Sequence, residues 1–185
     1  MTEMNSIFNS FMEIETPRLK LRKIYREDAP SLFKIFSMDE VTKFYDVDPF
    51  KSEEEAERLI EKLHLNFELK KQIRWAIILK EKNEFIGTIG YHEMEPEHFK
   101  AEIGYDLHPD HWGKGLMTEA INKVVNFGFD KLGFNRIEAV YHSLNEASKR
   151  VLHKNGFQYE GTLRKRFLIN GEFTDACISS IIRSD

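Results

Sequence analysis

The chain has 185 residues, of which 41% are hydrophobic and 31% charged, and its formal net charge is -4. That length supports one domain with a sizeable core, and the balance is that of an ordinary globular protein. It excludes a globally basic nucleic-acid-binding surface and a membrane-spanning apolar run, and the single cysteine, Cys177, excludes an internal disulfide or a zinc-type cysteine cluster.

In chain order, residues 1–13 read as a loosely held leader and 14–185 as a single domain. The opening lacks a basic region followed by an apolar core, so it does not read as a secretory signal, and a cytoplasmic protein is expected. Leu19 and Leu21 alternate with charge and predict a first, half-buried strand. Arg26 to Pro30 read as a helix start, with Leu32, Phe33, Ile35 and Phe36 as its core face. Ser52 and Glu55 form a capping box ahead of a stripe of Leu59, Ile60, Leu63 and Phe67. Between these helices runs an aromatic and acidic loop, Tyr45 to Phe50, that includes Asp46 and Asp48.

Arg74 to Leu79 predicts a strand covered on both faces. Phe85 to Tyr91 predicts another, with Gly87 and Gly90 marking a bulge or a close backbone neighbour, before an acidic turn at Glu93 to Glu97. Ile103, Tyr105 and Leu107 alternate with Gly104 and Asp106 in a central strand that Pro109 closes. From Leu116 onward, Ala120, Ile121, Val124 and Val125 fall at helical spacing, up to a stop at Leu132-Gly133. A strand follows at Arg136 to Tyr141, then a helix opened by Asn145. Two last strands, Phe157 to Phe167 and Phe173 to Ile182, join at Asn170-Gly171, the dipeptide of a tight hairpin. The order β-α-α-β-β-β-α-β-α-β-β fits an α/β domain with a central mixed sheet of about seven strands and helices on both faces.

Gly113 and Gly115 bracket Lys114 between the central strand and the long helix. Such a turn aims unpaired backbone N–H groups, at the positive end of a helix, at whatever lies above it, which suits a phosphate or pyrophosphate. It is not a Walker A loop, because Lys114 lies between the glycines, and it lacks the third glycine of a dinucleotide fingerprint. The run Trp112 to Met117 resembles the acyl-CoA loop of the GNAT superfamily, Q/R-x-x-G-x-G/A, with Trp112 where Gln or Arg is usual and Met117 where a small residue is usual. Both departures resemble the RimJ/RimL-like branch, the ribosomal-protein N-terminal acetyltransferases and their relatives. ETPRLKLR near the start, Asn145 to Phe157, and Glu160 to Arg164 with Asn170 to Asp175 are similar to further motifs of that branch, so the resemblance covers about residues 14–184.

The resemblance implies an acetyl-CoA-dependent N-acetyltransferase with a GNAT-type sheet and no metal. The central strand would splay from its neighbour at Asp106 and Leu107, with the pantetheine arm in the gap and strand N–H groups near Leu107 facing the developing oxyanion. The backbone of Gly113, Lys114, Gly115, Leu116, Met117 and Thr118, with Trp112 beside it, would take the pyrophosphate. Asn145 would anchor the pantetheine amides, Ser148 would serve the leaving thiolate, and Lys154 would meet the nucleotide end. Glu102 and Glu93 are the candidate bases, and alternation with Gly104 and Asp106 leaves open whether Glu102 faces the cleft. Acidic residues in the two flanking loops suggest a cationic acceptor: a protein N-terminus or a small primary amine. No nucleic-acid or membrane partner is expected, and the chain would act as a monomer or homodimer. The competing readings are a CoA-binding or interaction module without a competent base and, less well supported, a nucleotide-dependent oxidoreductase. Asn145 is also a good helix cap by residue type alone.

Overall fold

The computed structural model describes residues 7–45 and 47–184. Its strands are β1 (Ile14–Glu15), β2 (Leu19–Lys23), β3 (Ile73–Leu79), β4 (Glu84–Glu95), β5 (Lys100–Leu107), β6 (Arg136–His142), β7 (Gln158–Ile169) and β8 (Glu172–Ile182). Its helices are α1 (Ala29–Phe36), α2 (Asp39–Thr42), α3 (Glu53–Glu68), α4 (Leu116–Asp130) and α5 (Glu146–Lys154). The strands form one sheet in the order β1-β2-β3-β4-β5-β6-β8-β7, antiparallel except where β5 meets β6.

Period-2 alternation sorts the two faces. Ile73, Trp75 and Ile77 of β3 join Ile103 of β5 and the apolar stripe of α4 in the larger core. Ala76 and Ile78 point the other way and meet Leu32 of α1 and Ile60 of α3. β3 is therefore buried on both faces, as its unbroken apolar run predicts. Burying one such Leu or Ile contributes about 1.5–3 kcal/mol. Glu55 accepts from the Ser52 amide at 3.2 Å, which completes the predicted capping box. Asn170 and Gly171 take φ of 52° and 80°, the left-handed pair that a type I′ hairpin requires. At Gly87 a Cβ would lie 2.2 Å from the Asp106 carbonyl oxygen, and the β3–β4 register shifts opposite it, between Ile77 and Ile78.

Four expectations change. The sheet has eight strands, because the two-residue β1, too short to show an alternation, pairs with β2. The four-residue α2 is likewise too short to show a period. Glu93 to Glu95 extend β4, and the turn begins at Pro96. The supposed leader contributes to the core in its residues 7–12. Ile7 and Phe8 are buried, Phe11 packs on Phe67 and Trp75, and the Met12 carbonyl accepts from the Trp75 indole at 2.8 Å. Ile7, Phe8 and Phe11 sit at i, i+1 and i+4, a helical spacing interrupted by polar residues.

Candidate active site

β5 and β6 pair only from Lys100↔Arg136 to Glu102↔Glu138. Beyond that each strand keeps its other neighbour: β5 stays on β4 as far as Gly87↔Leu107, and β6 stays on β8 as far as His142↔Ala176. The sheet therefore splits after Glu102, earlier than the opening expected at Asp106 and Leu107. Asp106 ties β5 to β4 and, across it, to β3 from the buried side. Its carboxylate accepts from Arg74 Nη2 at 2.7 Å, from Thr88 Oγ1 at 2.5 Å and from the Thr88 amide at 3.1 Å.

The free edge of β5 presents backbone groups to the gap. The Tyr105 carbonyl accepts from the Tyr45 hydroxyl at 2.7 Å, and the Leu107 carbonyl accepts from the Trp112 indole at 2.7 Å. Strand alternation turns the N–H groups of Tyr105 and Leu107 to the same edge. Those amides are the donors available to an oxygen placed in the gap.

The loop ahead of α4 has both glycines left-handed, with φ of 72° at Gly113 and 73° at Gly115. Nothing lies within 4 Å of a Cβ built at Gly113, so a ligand can approach the bare backbone there. The loop is pinned from the turn between β1 and β2. Glu119 Oε1 accepts from Thr16 Oγ1 at 2.5 Å and from the Arg18 amide at 2.9 Å, and Arg18 Nε meets Glu119 Oε2 at 2.6 Å. Arg18 Nη1 donates to the Lys114 carbonyl at 2.9 Å. Burial pushes the Glu119 carboxyl up, but the hydrogen bonds from Thr16 and Arg18 outweigh it and hold the group below the usual carboxylate range.

A cavity of about 480 Å³ joins the gap to this loop. Of the residues expected at the donor, Leu107, Trp112, Gly113, Gly115, Leu116, Met117 and Thr118 line it together with Asn145, Ser148 and Lys154. Lys114 is not in its wall, and its carbonyl is taken by Arg18. Asn145 caps α5: its Oδ1 accepts from the Ser148 amide at 3.0 Å, so Nδ2 remains the donor at the cavity wall. Burial raises the Tyr105 phenol well above its ordinary value, and the neighbouring Ser148 hydroxyl opposes the rise.

Among the lining residues that the sequence reading did not assign to the site are Tyr45, Tyr105 and Arg150. Arg150 lies one turn before Lys154 on α5, and that i, i+4 spacing was the available signal. Tyr45 had none, because only the fold brings its loop over β5. Tyr45 is 37% exposed, yet enclosure of its hydroxyl raises its phenol as well, with Asp106 adding to the effect.

Neither candidate base lines the cavity. Glu102 points to the opposite sheet face, where Oε1 lies 3.3 Å from His92 Nε2. Glu93 is exposed at a left-handed kink of β4, φ 43°. Of the acidic loop residues, Asp48 lines a small second cavity with Tyr45 and Asn170, and Glu95 pairs with Lys100 at 3.0 Å. Asp46 lies outside the described residues. Among the described residues no helix is long and apolar enough to cross a membrane, and no three His, Cys, Asp or Glu side chains converge as a metal-ligand set.

The sequence profile of the acetyltransferase (GNAT) domain matches residues 18–158. The chain is 44% identical over 173 residues to the uncharacterized N-acetyltransferase YoaA of Bacillus subtilis (strain 168), covering 94% of this chain and 98% of YoaA. It is 26% identical over 158 residues to the spermidine N(1)-acetyltransferase of Escherichia coli (strain K12), covering 85% and 82%. The crystal structure of the ribosomal-protein-S5-alanine acetyltransferase from Vibrio fischeri superposes with a TM-score of 0.79 at 26% identity, covering 94% of this chain and 98% of that one. With the split sheet and the glycine loop ahead of α4, these likenesses place the chain in the GNAT family of acetyltransferases, as an N-acetyltransferase.

Proposed function

We propose that the chain transfers an acetyl group from acetyl-CoA to the α-amine of a protein or peptide N-terminus. The observation that carries the donor half is the continuity of the cavity from the β5–β6 gap to the bare amides of Gly113 and the start of α4. The pyrophosphate would lie on those amides at the positive end of the helix. Arg150 and Lys154 would face the nucleotide end, Asn145 Nδ2 the pantetheine, and the Tyr105 and Leu107 amides the thioester oxygen. Ser148, in the cavity wall beside Tyr105, returns a proton to the leaving sulfur.

The acceptor half rests on the basicity of the amine. Asp106 is paired with Arg74, Glu95 with Lys100, and Glu102 with His92, whereas Glu40 in the cavity wall, Asp48 and Glu93 make no ion pair among the described residues. Deprotonating an α-amine at pH 7 costs about 1 kcal/mol, against roughly 4–5 kcal/mol for a lysine-like amine. The lower cost favours the single, weakly basic α-amine. The Vibrio fischeri relative is named for a ribosomal-protein acceptor and supports this reading. The spermidine enzyme supports the alternative of a small amine.

The test is thiol release from acetyl-CoA with three acceptors: peptides with free N-termini, the same peptides N-terminally blocked but carrying lysine, and spermidine. Turnover with free N-termini alone supports the proposal. Faster turnover with spermidine than with every peptide would replace it by the small-amine reading.

A further inference from the structure

We infer that His92 is the group that takes the proton from the acceptor amine, with Glu102 as the positioning residue behind it. This rests on the amine-acceptor reading above. His92 and Glu102 are register partners on β4 and β5, at the last pair before the sheet splits. His92 Nε2 faces Glu102 Oε1 at 3.3 Å. A nitrogen that faces a carboxylate carries the ring hydrogen, which leaves the Nδ1 lone pair free to accept. The ring lies over Gly104, the first position on this face beyond the split: a Cβ there would be 3.0 Å from His92 Cε1 and 3.3 Å from Nδ1. The missing side chain leaves space in front of the ring, on the face opposite the cavity walls contributed by α4 and α5; His92 is not itself in the cavity wall. At 34% and 22% side-chain exposure, His92 and Glu102 remain in contact with solvent, where a proton can depart.

The neighbouring charges are accounted for. Arg74 Nη1 also lies over Gly104, at 3.1 Å from the same position, and its guanidinium is matched by Asp106. Glu138, the β6 partner of Glu102, is paired with Arg136 at 2.7 Å and Lys100 at 3.6 Å. Glu93, next in the chain, is exposed. An imidazole is also a better match than a carboxylate to an amine that titrates near pH 8.

The protons balance as follows. The acceptor arrives as an ammonium, and His92 Nδ1 removes one proton and passes it to solvent. The freed lone pair forms the N–C bond at the thioester carbon. As the C–S bond breaks, the nitrogen loses a second proton, and one proton reaches the sulfur through Ser148. The products are the amide, the thiol and one proton in solution.

The experiment is a pH–rate profile for the best peptide acceptor, using the full chain, His92→Gln and Glu102→Gln. Each variant is checked for acetyl-CoA affinity and thermal midpoint. His92→Gln is expected to lose about 100-fold in kcat/KM at pH 7. The deficit should shrink severalfold toward pH 9.5, where the amine deprotonates unaided, with acetyl-CoA affinity unchanged. Glu102→Gln should show a smaller loss that shrinks in the same way. A His92→Gln rate within twofold of wild type at every pH, or a loss that is constant with pH, would overturn the assignment. So would Glu102→Gln being the more damaged of the two. Absence of turnover by the wild type with any primary amine would instead remove the reading on which the assignment rests.

Discussion

Arg18 and Glu119 stand 101 residues apart in the chain and are joined by two hydrogen bonds, at 2.9 and 2.6 Å. Through Arg18 Nη1 and the Lys114 carbonyl, the same contact fixes the glycine loop. Two stretches that look independent in the sequence, the ETPRL opening and the Thr-Glu-Ala after the loop, thus form one clamp on the donor site. Arg18→Ala is expected to weaken acetyl-CoA binding about tenfold. The Arg18 side chain is half exposed, so the stability cost stays within about 1 kcal/mol. Calorimetric titration alongside a urea melt separates the two effects.

Asp106 is the opposite case, since its carboxylate is fully buried against Arg74 and Thr88. Removing one partner of a buried ion pair strands the other, at a cost of about 3–5 kcal/mol. Asp106→Ala should therefore lower the urea midpoint strongly, whereas Arg18→Ala should barely move it.

Tyr45 holds the Tyr105 carbonyl that a pantetheine amide would claim. The two cannot use it together in the same way. Tyr45→Phe removes the competitor, and with a hydrogen bond worth about 1 kcal/mol the expected gain in acetyl-CoA affinity is about fivefold. Unchanged or weaker binding would mean that the hydroxyl assists the donor instead.

Glu160 supplies the pH prediction. Its hydrogen bonds to Arg136, then to Ser180, lower its carboxyl from 4.5 to about 2. A depressed folded-state value contributes stability above the unfolded value, and that contribution is lost as pH falls from 4.5 toward about 2. The side chain is 38% exposed, so screening limits the contribution to about 1 kcal/mol. Glu160→Gln should lower the melting midpoint at pH 7 and match wild type near pH 2.

What the sequence disclosed follows from range. Capping at Ser52, the Asn170-Gly171 turn and the alternation of β5 are local, and each is found where its residues indicate. The split of the sheet was legible only through the family resemblance, and its starting point depends on which strand each partner keeps. The helical residues 7–9 carry too few apolar positions for their period to stand out, so their contribution to the core was missed. Tyr45 and the His92–Glu102 pair depend on β4–β5 register and on a loop folding back over β5, neither of which leaves a mark in a linear pattern. The stretch of Glu160 to Arg164 with Asn170 to Asp175 proves to be structural where it is best defined: Glu160 binds Arg136 and Ser180, and Asp175 accepts from the Lys165 amide at 2.8 Å.

The most direct test of the account is calorimetric titration of acetyl-CoA into the wild type and Thr118→Glu. Thr118 lies in the first turn of α4 and in the cavity wall. A carboxylate there suits the positive end of the helix and leaves the fold intact, but it opposes a pyrophosphate. The account predicts tight binding to the wild type and at least about a hundredfold loss in the variant, with equal thermal midpoints. Equal binding by the two proteins, or none by the wild type, would contradict it.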